Sequence, residues 1–329
     1  MRAARESGAR APRRASIDIG TNTLRLLVAE VEGRSLTPLV YERRITRLGG
    51  GYSEKRGISP EAARRTLRAL EEFAALLGRE GVDEVRAVAT SVVRRAVNGR
   101  AFLDEVRERT GIDAEVIDGG EEARLSLIGV LSVVERRGPL LAVDIGGGST
   151  EFIAAAEGGG VSSWSMEMGV VHLAERYLAS DPPAAAELSA MEAGIARVLG
   201  ALKGRMKEDG VEPGAYGPSA GARLVGTAGT VTTLAALDLG LERYDRERIN
   251  NHVLRKAVLR RLYRRLSAMT AARRCRLPGL EKGREDLIIP GAAIALETMG
   301  AFGQEEMIVS DAGLLEGVIL DGAGAPRAL

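Results

Sequence analysis

Two stretches of the chain share one plan. Residues 16–23 (SIDIGTNT) and 142–150 (AVDIGGGST) both read as an apolar run, then Asp-Ile-Gly, two residues, and Ser or Thr. Their aspartates, Asp18 and Asp144, lie 126 residues apart. Each apolar run stops at a glycine turn and resumes, as Leu24-Arg25-Leu26-Leu27-Val28 and as Glu151-Phe152-Ile153-Ala154. That pattern predicts strand, tight turn, strand. Solenoid repeats have periods of roughly 20–50 residues, so this one is too long for a solenoid. It predicts two related α/β domains, each opening on an Asp-bearing hairpin. The chain has 329 residues, and at ~150 residues per domain that also suggests two.

The other segments alternate between helical and strand patterns, as in layered α/β domains with helices on sheets. Ser59 supplies an N-cap and Pro60 a first-turn proline. Leu67, Leu70, Phe73 and Leu77 follow at helical spacing, and Gly78 and Gly81 mark the helix end. Short strands are predicted over 84–90, 114–117, 224–227 and 307–310. Helices are predicted over 99–110, 121–134, around 188–202 and over 253–266, with a last helix reaching about residue 320. The expected division is a disordered basic tail (1–14), an N-terminal domain (15–133) and a C-terminal domain (134–329). The last helix could pack back on the first domain.

Charge and rare residues exclude several classes. Lys and Arg number 46 against 45 Asp and Glu, for a net charge of +1. This argues against a dedicated nucleic-acid or membrane-surface binder. Cys275 is the single cysteine, so neither an intrachain disulfide nor a cysteine zinc site can form. The two histidines, His172 and His252, are too far apart for an HExxH motif, and neither is followed by Asp. No apolar run reaches the ~18 residues of a membrane span. Residues 1–14 lack an apolar core and do not read as a secretory signal. The cytoplasm is the expected compartment.

Three glycine-containing turns follow apolar strands, at 18–23, 144–150 and 226–233. Glycines let backbone N–H groups approach an oxyanion, and Ser and Thr hydroxyls add donors. An Asp at a strand end can hold a divalent cation. Three such turns point to a phosphate clamp between two domains. There is no Gly-Lys pair, hence no P-loop. Gly146-Gly147-Gly148 leads into a strand-like Glu151-Phe152-Ile153, not the helix a dinucleotide fingerprint needs.

Eight segments carry a family resemblance: SIDIGTNTLRLLVAE (16–30), AVATSVVRRAVN (87–98), GGEEARLSLIGV (119–130), LLAVDIGGGSTEFI (140–153), MEMGVVHLAERY (166–177), GTAGTVTTLAAL (226–237), PGLEKGREDLIIPGA (278–292) and VSDAGLLEGVIL (309–320). Together they resemble the exopolyphosphatase / guanosine pentaphosphate phosphohydrolase (Ppx/GppA) family of the actin–Hsp70–sugar kinase superfamily. The resemblance implies the short form, with two ribonuclease-H-like (actin-like) domains and an active site in the cleft between them. It implies Mg²⁺-dependent release of terminal phosphate from inorganic polyphosphate, or of the 5′-γ-phosphate of pppGpp. Another divalent cation could serve, a monovalent one could assist, and a homodimer is open.

The same resemblance implies roles by position. Glu122 is the catalytic carboxylate, while Glu121 reads as a solvated acid at a helix start. Asp144 and Glu151 are the metal-associated acids. The backbone of Gly146, Gly147, Gly148 and Ser149 cradles phosphate oxygens. Arg25 and Arg94 contact phosphate, which the planar guanidinium suits. Arg284 stands near the cleft. Asp18, Thr21, Asn22, Thr227, Gly229 and Thr230 complete the phosphate and nucleotide-site pattern. Ala312 and Leu315 depart from it, standing where family members often carry Arg, which weakens any charge role for the last segment.

From Arg255 to Arg276 there are nine positive residues, and no Asp or Glu lies between Ile249 and Leu280. Leu254, Val258, Leu262 and Leu266 repeat every four, as on an amphipathic helix. The stretch reads either as a solvated face or as a track for a polyanion, which would favour polyphosphate over a nucleotide. Aromatic residues make up 3% of the chain, few for stacking bases. Two other classes stay open: a non-hydrolytic sensor of alarmone or polyphosphate, and a sugar or acetate kinase. His172, Trp164 and Cys275 read as structural.

Overall fold

The computed structural model describes residues 11–33 and 35–322. In the first half, β1 (Arg13–Ile19), β2 (Thr23–Glu32) and β3 (Ser35–Ile45) form an antiparallel meander. Helix α1 (Pro60–Glu80) leads to β4 (Glu84–Ala89); α2 (Ser91–Arg95) and α3 (Gly99–Thr110) lead to β5 (Ala114–Val116); α4 (Gly119–Leu131) leads out. The second half repeats the meander as β6 (Leu140–Ile145), β7 (Thr150–Ala155) and β8 (Val161–Met166). After it come α5 (Val170–Tyr177), α6 (Ala185–Glu208), β9 (Arg223–Thr227), α7 (Ala228–Leu239) and α8 (Arg246–Ile249). The chain then adds β10 (Val253–Arg255), α9 (Lys256–Ser267), α10 (Ala271–Arg274), α11 (Ile288–Ala301), β11 (Glu306–Val309) and α12 (Leu314–Gly322).

The strand orders match. The first sheet runs β3-β2-β1-β4-β5 and the second β8-β7-β6-β9-β11, with β10 on its edge. In each, an antiparallel meander is extended on the far side by two strands parallel to the first. This is the ribonuclease-H-like plan twice over, the α/β class that the repeat predicts. Asp18 and Asp144 sit one residue before the ends of the equivalent strands β1 and β6.

Each sheet has its own core. Ile17, Ile19, Leu67, Leu70 and Phe73 belong to the first, and Leu141, Val143, Ile195, Leu234 and Ile289 to the second. Between the sheets run α4 and α12. Leu125 of α4 packs with Val88 and Val318, while Ala123, Leu127 and Val130 pack on β6 and β7. Leu315 and Ile319 of α12 cover Leu27, Ala29 and Val31 of β2. The two helices touch backbone to backbone. A Cβ on Gly129 would stand 1.8 Å from the Gly313 carbonyl oxygen, and one on Gly317 1.8 Å from that of Leu125.

Several local expectations need correction. Arg13 and Arg14 lie in β1, not in a tail: Arg13 pairs with Glu30 and Arg14 with Glu84. Residues 1–10 of that tail lie outside the described residues. Gly78 is inside α1, and Gly81, with φ 60°, caps it. Residues 253–255 pair with β11 before α9 begins, and α9 buries Leu259, Tyr263 and Leu266, so its stripe is displaced from the every-four reading. Strand β3 went unpredicted because its residues are mostly half-buried or exposed and show no apolar run. Among the described residues no helix is long and apolar enough to cross a membrane.

Candidate active site

The two hairpin turns close in the same way. Gly20 N–H donates to the Thr23 carbonyl at 3.1 Å, and Gly146 N–H to that of Ser149 at 3.0 Å. The tips then meet. A Cβ on Gly147 would stand 3.0 Å from the Asn22 Cβ, and one on Gly148 2.6 Å from Thr21 Oγ1 and 2.7 Å from Ser91 Oγ. Glycine is required there because the opposite hairpin occupies the space. Gly146 and Gly147 carbonyls accept from Val170 and Val171 at the start of α5, which fixes the loop. The N–H groups of Gly147, Gly148 and Ser149 have no acceptor among the described residues.

These turns wall a cleft open to solvent. Of the residues singled out from sequence, Asp18, Thr21, Asn22, Arg25, Glu122, Asp144, Gly146, Gly147, Gly148, Ser149, Glu151, Gly229, Thr230 and Arg284 line it. Arg94 stands behind this wall, its guanidinium donating to Glu122 at 3.2 Å and to the Ile117 carbonyl at 2.8 Å. Thr227 is a correction. It is buried and off the cleft, and its hydroxyl is spent on the Ala312 carbonyl at 3.0 Å. The third glycine segment is likewise no turn, since β9 passes directly into α7. Ala228, the first residue of α7, has φ 68°, a left-handed conformation costly for a residue with a Cβ. The first-turn N–H groups of α7 lack intrahelical acceptors, and Gly229 and Thr230 place that end on the cleft.

Four carboxylates converge. Asp18 comes from β1, Asp144 and Glu151 from directly paired positions of β6 and β7, and Glu122 from the first turn of α4. The Asp118 carboxylate caps α4 by accepting from Glu121 N–H at 2.8 Å. That cap fixes the helix phase. Glu122 is buried toward the cleft, while Glu121 turns away and pairs with Arg124. Arg25 donates to Asp18 at 2.9 and 2.6 Å, Ser126 to Asp144 at 3.3 Å, and Ser165 to Glu151 at 2.8 Å. Arg284 is buried with its Nε on Glu281 at 2.9 Å, and its guanidinium lies against Gly229, where any Cβ would collide with it.

Burial and mutual repulsion set the electrostatics. Glu122 is held well above the usual carboxylate range by burial, then by Glu151, with Arg94 pulling back and Asp144 and Asp18 adding. Glu151 is pushed up to about 7 by burial and by Asp144. Asp144 is raised by burial, with Asp18 adding and Arg25 opposing. Burial pulls the Arg25 guanidinium down, but Asp18, Tyr41 and Asp144 outweigh it, so it stays charged. Burial and the neighbouring Arg43 lower Arg284, with Glu281 opposing.

Clustered oxygen donors and strained ionisation fit a hard divalent cation. Asp18 Oδ1, Thr21 Oγ1 and Asn22 Oδ1 are buried without a hydrogen-bond partner. Yet among the described residues no three acids stand close enough to hold an ion at once. The site therefore fits a cation sharing its ligands with water and phosphate, not an all-protein cage.

Sequence reasoning missed Thr90 and Ser91, which line the cleft at the β4–α2 junction. Their signal is a strand ending in Thr-Ser ahead of a helix, on the segment that also carries Arg94. Ser126 and Ser165 had no local signal, since their partners lie 18 and 14 residues away in sequence. His172 is half-buried beside Arg95, and Trp164 is buried with its Nε1–H on Asp209. Leu315 is core, as expected of a position without a charge role.

Residues 27–325 match the model of the Ppx/GppA phosphatase family. Exopolyphosphatase 2 of Mycobacterium tuberculosis is 37% identical over 94% of this chain and 98% of its own. An exopolyphosphatase from Cytophaga hutchinsonii superposes with a TM-score of 0.84 at 30% identity, covering 95% of this chain and all of that one. The Ppx/GppA family member of Aquifex aeolicus superposes with a TM-score of 0.77 at 30% identity, over 94% of this chain and 97% of that one. The chain therefore belongs to the Ppx/GppA phosphatase family.

Proposed function

We propose that this chain hydrolyses the terminal phosphoanhydride bond of inorganic polyphosphate. The observation that carries the reading is the buried Glu122, facing a cleft that also holds the free N–H groups of Gly147, Gly148 and Ser149. Two relatives called exopolyphosphatases, each matched over nearly its full length, support the choice of substrate. Water attacks the terminal phosphorus, the bridging P–O bond breaks, and the shortened chain leaves with that oxygen. Glu122 accepts the proton of the attacking water. The loop N–H groups hold the terminal phosphoryl oxygens, and Arg25 and Arg284 balance their charge. Arg94 orients Glu122.

Asp144 and Glu151, with Asp18 beside them, are the residues that would hold Mg²⁺. When bound, the ion supplies charge neutralisation at the phosphate oxygens. No step demands a covalent nucleophile, and no acceptor other than water is needed.

The test is phosphate release from short and long polyphosphate and from pppGpp, with and without Mg²⁺, by wild type and Glu122→Gln in parallel. The expected result is Mg²⁺-dependent release from polyphosphate that collapses in the variant. Release from pppGpp alone would move the substrate to the nucleotide. Binding without release by the folded wild type would make the protein a sensor.

A further inference from the structure

The basic stretch separates into two groups. Arg255 and Lys256 pair with Glu306 and Glu305 at the amino end of α9. Arg274 is buried, with Asp181 beside it. The other six differ. Arg260, Arg261, Arg264 and Arg265 are exposed on the face of α9 opposite Leu259, Tyr263 and Leu266, and Arg273 and Arg276 are exposed just beyond. Among the described residues none of the six has an ion pair or a side-chain hydrogen bond. Soluble surfaces ordinarily intersperse the two signs of charge. Here no acid pairs with the six among the described residues, so like charges stand side by side along a helix about 18 Å long.

The carboxyl end of this helix is joined to the segment that carries Arg284. The Arg274 guanidinium donates to the Leu266 and Met269 carbonyls at the carboxyl end of α9 and, through Nε, to the Glu285 carbonyl. Glu285 is the neighbour of Arg284, which lines the cleft. One buried side chain therefore ties the carboxyl end of α9 to the segment that carries Arg284, and Lys282, exposed and unpaired among the described residues, lies on the same segment. No aromatic ring is exposed on α9, because Tyr263 is buried with its hydroxyl on Glu192. A strand carrying bases would gain from stacking; a bare phosphate chain needs only charge.

We propose that the arginine face of α9, continued by Arg273 and Arg276, is a track that holds the distal part of a long polyphosphate chain while its end lies in the cleft. The proposal rests on the hydrolytic reading above. It makes the enzyme discriminate by length, since a short chain in the cleft cannot reach the track.

The test compares wild type with R260Q/R261Q/R264Q/R265Q and with the fourfold Lys replacement, each confirmed folded by its thermal melt. Tripolyphosphate and chains of hundreds of phosphates are the substrates. Binding of labelled long chains is measured separately on the Glu122→Gln background across a salt series. The Gln variant is expected to raise KM for long chains about tenfold or more, and to lower the salt slope of log Kd by about 3 if four contacts are lost. Turnover and KM on tripolyphosphate stay within twofold, and the Lys variant keeps long-chain binding. Unchanged long-chain KM, Kd and salt slope would overturn the proposal. So would single-stranded RNA that binds this face more tightly than polyphosphate and is not displaced by it. If the wild type hydrolyses neither chain but long-chain binding still depends on the four arginines, the hydrolytic reading fails and the track stands.

Discussion

Glu121 and Glu122 are adjacent in sequence and opposite in circumstance. The Asp118 cap turns one toward Arg124 and the other into the cleft. If Glu122 takes the proton from water, Glu122→Gln lowers kcat by about 10²–10⁴ with little change in KM, measured by phosphate release. Its ionisation also sets a pH dependence. A base works when deprotonated, and burial with Glu151 nearby keeps Glu122 protonated above the usual carboxylate range. Activity is therefore expected to rise with pH over a range above that of an ordinary carboxylate. Glu151→Gln removes the second-largest cause, so the acid limb of the profile moves to lower pH whatever happens to the maximal rate. The same shifts act on the fold. A carboxyl raised from its ordinary value to about 7, as Glu151 is, favours folding below the unfolded value and loses that contribution as pH climbs through 7. In melts of metal-free protein from pH 5 to 8, Glu151→Gln should flatten the decline. From sequence the acids at 122, 144 and 151 could be named, because each sits in a motif with fixed spacing. Their mutual repulsion could not, because it depends on how α4, β6 and β7 converge.

At the scale of elements, the crossing of α4 and α12 is set by what is absent from Gly129 and Gly317. Gly317→Ala forces a methyl into the Leu125 carbonyl. Overpacking of this kind costs about 1–3 kcal/mol, read as a fall in the urea midpoint. Gly200, in the middle of α6, has nothing within 4 Å of its missing Cβ. Gly200→Ala should add about 0.5–1 kcal/mol from helix propensity alone. The opposite signs separate glycines that make room from glycines that merely occupy a helix. The hairpins β1–β2 and β6–β7, the capped α1 and the sheet-forming runs were legible because apolar periodicity and caps are local signals. Strand β3 was not, since its partner β2 makes it a strand and its own residues do not. The 226–233 segment misled for a related reason: Thr-Ala-Gly-Thr reads as a turn until a helix is seen to start at Ala228.

Across the whole molecule, the two halves are held at the cleft by charges at the end of β3 and just beyond it. Arg43 contacts both oxygens of Glu281 at 3.0 and 2.6 Å, and Arg47 makes a two-pronged contact with Asp286 at 2.9 and 3.1 Å. Glu281 also holds Arg284, so one carboxylate links the first sheet to a residue of the site. Glu281→Gln should raise KM severalfold and also lower the melting temperature, because it leaves the largely buried guanidinium groups of Arg43 and Arg284 without their counter-charge. The repeat 126 residues apart made two matched halves visible in the sequence. It could not show which charges meet between them, since Arg43 and Glu281 are 238 residues apart.

Helix α12 lies over β2, where Leu315 and Ile319 cover Leu27, Ala29 and Val31. The first strands of the chain are thus completed by almost its last described residues. During synthesis the amino-terminal sheet leaves the ribosome with that oily face bare, and it stays bare until residue 320 follows. The nascent half can hydrogen-bond its strands early, but it must wait for its cover, and until then it offers a surface that chaperones or a neighbouring nascent chain can seize.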